Sequence, residues 1–436
     1  MAVDRIQRRR AIAAGSIGTV IEWYDFALYG LASALVFAPL FFPGAGTLGG
    51  LLGALGTFAV GLGVRPLGGL IFAHYGDRLG RKPVLLVTLL IMGVCTTLIG
   101  ALPTAESIGV WAPIALVLLR LLQGAGAGAE YAGAITMVSE FTERRRRGLV
   151  ASYPGAAIYV GTALATVLFA LVSLLPADAF LAWGWRVPFL LSIVVLAIAT
   201  YVRLRVPESP EFADLERSDS LQPAPVKEAL RTETRAIICG FGLFTFIIPW
   251  AYLMQVFVLS HVSNDLHVSK SVALTGLIIA EVLTVVAIPL FGILSDRIGR
   301  KKVLTGGAIF AILYVFPMFW LLGTGNPVVV TVAMVLGLAG VQGATSGPAA
   351  ALMAELFSTR VRWSGLAISR ELPAAVVGGT MPLVATALLA WSGGGTWSIA
   401  AYVATLSVIG LICVRLLPET LWAAPRAPVG NLSETY

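Results

Sequence analysis

One seven-residue segment occurs twice and decides how this chain is organised. It reads Gly-Asp-Arg-Leu-Gly-Arg-Lys at Gly76–Lys82 and returns as Ser-Asp-Arg-Ile-Gly-Arg-Lys at Ser295–Lys301. The two copies begin 219 residues apart (295 − 76). Other residues repeat at the same offset: Gln123 with Gln342, Gly124 with Gly343, and Gly128 with Gly347. Several markers that share one offset predict two homologous halves in the same orientation.

The composition around these segments is that of a membrane protein. Of the 436 residues 58% are apolar and only 12% charged, and the mean hydropathy is +0.88. A soluble domain of this length needs more charge to cover its surface. The apolar residues form runs of about 20, which match the hydrocarbon thickness of a bilayer. The 47 glycines suit helices that pack closely in lipid.

Hydropathy predicts an all-α membrane protein of twelve transmembrane helices in two pseudo-symmetric halves of six. The first half is residues 1–206, a polar cytoplasmic linker covers 207–235, and the second half with a short cytoplasmic tail is 236–436. Parallel repeats of this kind place a site between the halves near the midplane. The predicted spans are 14–41, 48–72, 84–103, 111–138, 149–175, 185–206, 236–260, 272–294, 303–323, 327–353, 365–390 and 397–417.

The basic residues predict the orientation of the chain in the membrane. They collect at alternate helix ends, and the opposite side holds only Arg186 and Lys270. The positive-inside rule therefore places both termini in the cytoplasm, in a multi-pass protein of the inner (plasma) membrane. The net charge of +7 does not predict a nucleic-acid partner, since these residues form no patch interleaved with aromatics. Glu22 and Asp25 interrupt the first apolar run, so it does not resemble a cleavable signal peptide.

The repeated loops resemble the signature of the major facilitator superfamily. Other segments resemble one branch of it, the metabolite:proton symporters, which carry dicarboxylates, citrate, shikimate, proline and betaine together with protons. That resemblance implies the major facilitator fold and a small carboxylate or zwitterion as substrate. The segments are Glu22–Gly30, Arg65–Gly69, Arg120–Gly124, Trp183–Phe189 and Glu208–Pro210.

Acidic residues inside the first span are the candidates for proton coupling. Glu22, Asp25 and Tyr29 share one helical face. A carboxylate in the hydrocarbon zone is costly unless it faces a cavity, forms a pair or binds a proton. We expect Asp25 to pair with Arg120 in span 4, so that protonation of Asp25 frees Arg120 for a substrate carboxylate. The alternative is a permanent ion pair that joins spans 1 and 4.

Further polar residues within the spans are candidates for proton transfer or for substrate binding. Glu130 in span 4 is a second proton site or a partner for Arg65. Arg370 either binds substrate or reaches to the cytoplasmic surface. Residues of span 7 are predicted to line a cavity, helped by a break in the helix at Pro249. The alternative for its aromatic residues is packing or lipid contact. The predicted substrate-binding residues are Arg65, Tyr29, Gln123, Trp250, Tyr252, Gln255, Glu281 and Arg370.

The repeated loops are candidates for a gate on the cytoplasmic side. An aspartate is stabilised at the positive N-terminal end of a helix. Asp77 is predicted to contact the start of span 11 near Ser364, and Asp296 the start of span 5 near Gly148. The alternative is that the loops only set the topology and tighten the turns. The predicted gating residues are Asp77, Arg78, Arg81, Lys82, Asp296, Arg297, Arg300 and Lys301.

These features predict a transporter, with no catalytic residues, metal site or cofactor. A phosphate-binding GxxxxGK[ST] loop is absent from the sequence, so the proton gradient is the expected source of energy. We expect a proton-coupled symporter, monomeric in the lipid bilayer, that imports a small organic acid or zwitterionic metabolite by alternating access. The alternatives are an uncoupled facilitator or exchanger of the same fold, and a membrane sensor derived from a transporter.

Overall fold

The computed structural model describes residues 5–69, 71–72, 81–128, 130–140, 142–205, 225–357 and 362–422, and all their secondary structure is helical. Ten of the described helical stretches are long and apolar enough to cross a membrane. The shorter apolar helix Leu86–Ala101 and the first helix, Arg5–Leu35, complete the twelve predicted spans. Large apolar side chains such as Leu313 and Trp320 lie on the outer surface, as expected of a surface in contact with lipid.

The first half contains six spans joined by short helical turns. Spans 1 to 6 are Arg5–Leu35, Gly46–Gly63 within the longer helical stretch Pro43–Gly69, Arg81–Ala101, Trp111–Ala127 continued by Glu130–Glu140, Arg147–Val172, and Arg186–Arg205. The connecting turns are Phe37–Phe41, Pro43–Ala45, Ala105–Ile108, Arg144–Arg146, Ala177–Ala179 and Phe180–Gly184.

The second half repeats this plan, with π-helical turns inside several spans. Spans 7 to 9 are Thr234–Tyr252 continued by Leu253–Val258 and His261–Asp265, then Lys270–Ile298 and Arg300–Leu322. Spans 10 to 12 are Pro327–Val335 continued by Leu336–Gln342 and Gly343–Leu356, Arg362–Pro373 continued by Ala374–Gly378 and Met381–Trp391, and Trp397–Leu416. Part of the predicted linker is also helical, at Pro225–Thr232.

Spans 2 and 4 touch through their backbones. A Cβ atom on Gly124 would lie 1.9 Å from the Gly61 carbonyl oxygen, and one on Gly128 would lie 2.0 Å from the Arg65 carbonyl oxygen. Only glycine permits this approach, which is the usual way that membrane helices associate. The contact fixes the distance between Arg65 of span 2 and Arg120 of span 4.

The turn between spans 8 and 9 is a single residue. Gly299 has φ +107°, a backbone conformation that favours glycine. A Cβ atom there would also lie 2.7 Å from Oε2 of Glu419. That carboxylate accepts hydrogen bonds from the backbone N–H groups of Arg300 and Lys301 at 3.1 and 3.0 Å, so it caps the start of span 9.

Candidate functional site

A buried network of four charged side chains joins the two halves. Arg65 of span 2 binds Glu22 of span 1 through Nη2 at 2.7 Å and Glu371 of span 11 through Nε at 2.8 Å. The other oxygen of Glu371 accepts from Nη1 of Arg370. All four side chains are at most 6% exposed. Two positive and two negative groups balance one another, which is the condition for burying charge at this depth.

The network bears on the alternatives stated for its arginines. Among the described residues the ion pairs of Arg65 are with Glu22 and Glu371, and Glu130 stays a candidate proton site. Arg370 does not reach the cytoplasmic surface, since it is 4% exposed. Its guanidinium carbon lies 3.6 Å from the ring centroid of Tyr131, where the face of the ring stabilises a cation. The prediction of snorkelling failed because a neighbouring acid and an aromatic face satisfy Arg370 inside the bundle.

Arg120 is held between aromatic rings. Its guanidinium carbon lies 4.3 Å from the ring centroid of Phe26, 4.2 Å from that of Tyr29 and 5.3 Å from that of Phe58. Nη1 donates to the Gln123 side chain, whereas Nε and Nη2 have no hydrogen-bond partner among the described residues. Arg120 is thus a fully buried cation whose Nε packs against Gly61 of span 2, where a Cβ atom would lie 2.2 Å away, and whose Nη2 has no hydrogen-bond partner among the described residues.

Asp25 is buried but does not form the predicted ion pair with Arg120. Its carboxylate lies beside the hydroxyl-bearing side chains of Thr96 in span 3 and Ser192 in span 6. Within the described part of the chain, Oδ2 has no hydrogen-bond partner and no ion pair reaches Asp25. The direct pairing was wrong because the ring of Phe26, the next residue in span 1, faces Arg120 instead. Asp25 still lies close enough for its charge to interact with that of Arg120.

Hydrogen bonds fix the orientation of two other predicted residues near Arg120. The Tyr29 hydroxyl donates to Oγ1 of Thr57 in span 2 at 2.6 Å. Gln123 accepts from Arg120 and donates through Nε2 to Oγ1 of Thr96 at 2.6 Å. Thr96 therefore lies between Gln123 and Asp25, and it connects the environment of the acid with that of the arginine.

A small cavity lies at the interface of the halves, next to Arg120. The indole of Trp23 stacks on the ring of Tyr252 with centroids 6.1 Å apart, and the Phe58 ring meets Tyr252 edge-on at 5.3 Å. The predicted residues Tyr252, Gln255 and Glu281 line this cavity. Side-chain atoms Nε2 of Gln255 and Oε2 of Glu281 have no hydrogen-bond partner in the described structure.

Trp250 is the exception among the predicted residues of span 7. It is not among the residues that line the cavity. Its indole N–H donates to the Gly337 carbonyl oxygen at 2.7 Å, so it packs span 7 against span 10. Pro249 lies inside a continuous helix and does not break it, and the irregular segment begins instead at Leu253.

The predicted contact between the second loop and span 5 is present. Gly148 N–H and Leu149 N–H donate to the two carboxylate oxygens of Asp296, each at 2.9 Å. Nη1 of Arg300 binds the same carboxylate at 2.6 Å, and Nη2 lies 3.4 Å from Glu355. Since Asp296 belongs to the second half and Gly148 to the first, this contact joins the halves at the end of the bundle where the second repeated loop lies.

The other predicted gating residues have different positions. Arg297 is exposed, and Lys301 donates through its side chain to the Arg415 carbonyl oxygen at 3.1 Å. Asp77 and Arg78 lie outside the described residues. Arg81 and Lys82 begin span 3, but their side chains are not among those described.

Several residues of the site were not predicted from the sequence. Glu371 follows Arg370 inside a predicted span, so the sequence did mark it as a buried acid that could pair with an arginine. The rings of Trp23, Phe26 and Phe58 carried no signal, because aromatic residues at helical spacing are as common in packing as in binding.

An all-helical membrane bundle of two related halves, with buried charges at their interface, defines a secondary transporter. The sequence profile of the Major Facilitator Superfamily matches residues 15–370 and 240–431. The chain belongs to this superfamily; it is a metabolite transporter and not an enzyme.

Relatives of known name extend over almost the whole chain. It is 35% identical to the Inner membrane metabolite transport protein YhjE of Escherichia coli, covering 95% of this chain and 94% of that one. It is 34% identical to the Shikimate transporter of E. coli (95% and 96% covered) and 33% identical to the Proline/betaine transporter of that organism (96% and 85%).

Solved structures confirm the fold. The proton:xylose symporter XylE superposes with a TM-score of 0.73 over 95% of this chain and 96% of that one. A partially occluded inward-open structure of XylE from E. coli also gives a TM-score of 0.73, over 96% and 99%. The sequence identity is 17% in both cases, so the likeness concerns the architecture alone.

Proposed function

We propose that the chain is a proton-coupled symporter that imports a small organic acid or zwitterionic metabolite by alternating access. The observation that carries the proposal is the set of buried charges between the halves, above all an acid, Asp25, that has no cationic partner among the described residues. The names of the shikimate and proline/betaine transporters support the substrate class. Both termini are proposed to lie in the cytoplasm and the working unit to be a monomer.

The ion pair between Arg65 and Glu371 is proposed to make the movement of the halves depend on protonation. It connects span 2 with span 11, so separation of the halves at this point must break it. Two separated charges in a medium of low polarity are costly, and protonation of the carboxylate reduces that cost. Proton uptake by Glu371 or by its neighbour Glu22 therefore favours the open arrangement.

Asp25 and Arg120 are proposed to link the proton to the substrate. Arg120 is proposed to donate through Nη2 to a substrate carboxylate. The charge of Asp25 weakens that attraction from nearby, without a direct bond, and protonation of Asp25 removes the effect. Substrate and proton then bind together, as symport requires. Glu130, buried at the start of Glu130–Glu140, is proposed as a further proton site.

The loops close the cytoplasmic side in this mechanism. The hydrogen bonds from Gly148 and Leu149 to Asp296 hold spans 5 and 8 together, and these bonds break when the site opens inward. The first loop, with Asp77, Arg78, Arg81 and Lys82, is proposed to act in the same way at the start of span 11.

Uptake into proteoliposomes tests the proposal. An inward proton gradient is imposed, and a panel of mono-, di- and tricarboxylates and betaines is screened. We expect accumulation of at least one panel member, which collapses when the gradient is dissipated. If no member moves, the substrate class is wrong and a sensor is favoured. If the substrate only reaches equal concentrations on both sides of the membrane, with or without the proton gradient, the protein is a facilitator.

The Asp25→Asn variant tests the coupling residue. It is expected to lose accumulation against a concentration difference and to keep exchange of internal for external substrate, because the neutral amide mimics the protonated acid. Glu106→Gln, a change of the same kind at an exposed turn, serves as the control. Equal accumulation in the Asp25→Asn and Glu106→Gln proteins excludes Asp25 as the coupling group.

A further inference from the structure

Two cysteines that are 174 residues apart in the sequence (413 − 239) belong to neighbouring spans. Cys239 lies in the second turn of span 7, and Cys413 lies in the last turn of span 12. Both are free thiols; Cys239 is 4% exposed, and Cys413 is partly buried. The third cysteine of the chain, Cys95, lies in span 3 of the first half. It therefore serves as an internal reference for the other two.

Spans 7 and 12 cross closely because glycines lie at the contact. A Cβ atom on Gly242 would lie 2.2 Å from the sulfur of Cys413 and 3.3 Å from its Cβ. The Cys413 thiol thus fills the place that a side chain on Gly242 would take. One turn further, a Cβ atom on Gly410 would lie 2.7 Å from the Cβ of Phe246. Two successive contacts of this kind bring the two backbones as near as membrane helices come.

Cys239 shares a helical face with Gly242, and therefore with the sulfur of Cys413. Residues three apart on a helix are neighbours, with Cβ positions about 5–6 Å from each other. The side chains of Cys239 and Cys413 interact with each other in this arrangement. Rotation about their Cα–Cβ bonds is the movement that brings one sulfur onto the other.

Span 7 is held against span 12 from its other side. A Cβ atom on Gly240, the residue after Cys239, would lie 2.5 Å from Cε of Met353 in span 10. It would also lie 2.9 Å from Oγ of Ser369 in span 11. With spans 10 and 11 packed this closely behind it, the start of span 7 has no room to withdraw from span 12. The two thiols therefore stay neighbours.

An exposed polar contact lies one turn beyond the pair. Nη2 of Arg235, four residues before Cys239, donates to the Leu416 carbonyl oxygen at 3.1 Å. Arg235 and Leu416 are both exposed, so the ends of spans 7 and 12 reach the surface here. A small polar reagent can approach Cys413 from this side. Exposure is one of the properties that decide which cysteines are oxidised.

We propose that Cys239 and Cys413 are a paired-thiol modification site, which oxidants of the peroxide class convert into a disulfide between spans 7 and 12. The inference goes beyond the proposed function and does not depend on it, because both spans belong to the same half. Oxidation would turn a packing contact into a covalent bond near the start of span 7, shortly after the linker.

The reaction balances with hydrogen peroxide as the oxidant. Cys413, the more exposed thiol, attacks one peroxide oxygen; an S–O bond forms, the O–O bond breaks, and the departing hydroxide leaves as water with the thiol proton. The sulfur of Cys239 then attacks the resulting sulfenic acid. An S–S bond forms, the S–O bond breaks, and a second water carries away the proton of Cys239. The two thiols lose two electrons, which the peroxide gains, and an added dithiol reverses the change by exchange.

A count of free thiols tests the site. Purified protein in proteoliposomes is reduced, treated with hydrogen peroxide, unfolded and alkylated with N-ethylmaleimide, and the labels are counted by intact mass. The chain has three cysteines, so the reduced protein takes three labels. We expect the oxidised protein to take one, at Cys95, and dithiothreitol to restore all three. Proteolysis without reduction should release a cross-linked peptide that contains Cys239 and Cys413.

A relocated cysteine is the matched control. Ile238 is adjacent to Cys239 in sequence but is 62% exposed, so it lies on another face of span 7. The Cys239→Ala/Ile238→Cys protein has the same number of cysteines, and we expect it to form no disulfide with Cys413. The Cys95→Ala protein should still form the disulfide, with two labels before oxidation and none after it.

Four results would overturn the inference. They are three labels after oxidation, a disulfide that joins two molecules, equal cross-linking in the relocated variant, and a loss of labels that dithiothreitol does not restore. The last would show that each thiol is oxidised separately to a sulfinic acid. None of these measurements uses a substrate or a proton gradient. Failure of the disulfide therefore leaves the proposed transport function intact, and failure of uptake leaves the disulfide intact.

Discussion

Replacing Asp296 by asparagine keeps the shape of the side chain and removes its charge at the contact between spans 8 and 5. In the present structure the two carboxylate oxygens accept from Gly148 N–H and Leu149 N–H, and Arg300 binds one of them. An amide offers one oxygen and turns an NH₂ group toward the second N–H. The Asp296→Asn variant therefore loses one of the two backbone hydrogen bonds and weakens the other.

The size of the effect follows from these bonds. A hydrogen bond to a charged group contributes about 1.5–3 kcal/mol. Asp296 is only 11% exposed, so solvent screens the interaction little. A loss of about 2 kcal/mol from the arrangement that has this contact corresponds to a shift of about 30-fold toward the arrangement in which it is broken.

Alkylation of a reporter cysteine measures that shift. Ser152 is fully buried beside the crossing of spans 5 and 8. A Cβ atom on Gly292 would lie 3.2 Å from the Cβ of Ser152. The reporter is Ser152→Cys in a protein whose Cys95, Cys239 and Cys413 are replaced by alanine. We expect Asp296→Asn to raise the rate of modification by N-ethylmaleimide in inside-out vesicles at least tenfold, up to about the 30-fold population shift.

The control is Lys302→Gln, which removes one charge from an exposed position at the start of span 9. It should leave the rate unchanged. An Asp296→Asn protein that reacts no faster than this control would refute the reasoning, because the contact would then contribute nothing to holding spans 5 and 8 together.

Two further predictions concern stability. Glu371→Gln removes the carboxylate that binds both Arg65 and Arg370, and we expect it to destabilise the protein by about 3–5 kcal/mol. The loss is measured as a lower melting temperature in detergent. A melting temperature equal to that of Glu106→Gln would contradict the role of the network. Gly124→Ala places a methyl group 1.9 Å from the Gly61 carbonyl oxygen, and we expect it to lower the stability of the protein by about 1–3 kcal/mol or more. Gly63→Ala is the control, because its Cβ would meet nothing within 4 Å, and it should melt like the unaltered protein.

The repeated loop allowed one contact of the site to be predicted from the sequence. The 219-residue offset showed that Asp296 repeats Asp77, and charge–dipole attraction then suggested a helix start as its partner. Gly148 and Leu149 are that partner. The twelve spans followed equally directly, because hydropathy depends on composition along the chain and not on packing.

Pairings inside the bundle were less predictable. Glu22 and Asp25 are three residues apart on span 1, and the sequence does not show which of them faces span 2 and which faces spans 3 and 6. That rotation is set by how closely the helices approach, through contacts such as that of Gly161 in span 5, whose Cβ would lie 2.2 Å from the Val20 carbonyl oxygen of span 1. Arg65 consequently pairs with Glu22, and Asp25 lies beside Thr96 instead of against Arg120.

The crossing of spans 5 and 8 has a consequence for how fast the protein works. A Cβ atom on Gly292 would lie 2.6 Å from the Gly148 carbonyl oxygen, so the halves meet there through bare backbone. The side chains beside this contact include those of Asp296 and Arg300, so rotation of one half past the other must break the hydrogen bonds of Asp296 with span 5. Turnover is therefore expected to respond to changes in these polar loop residues more than to changes in apolar side chains near the crossing.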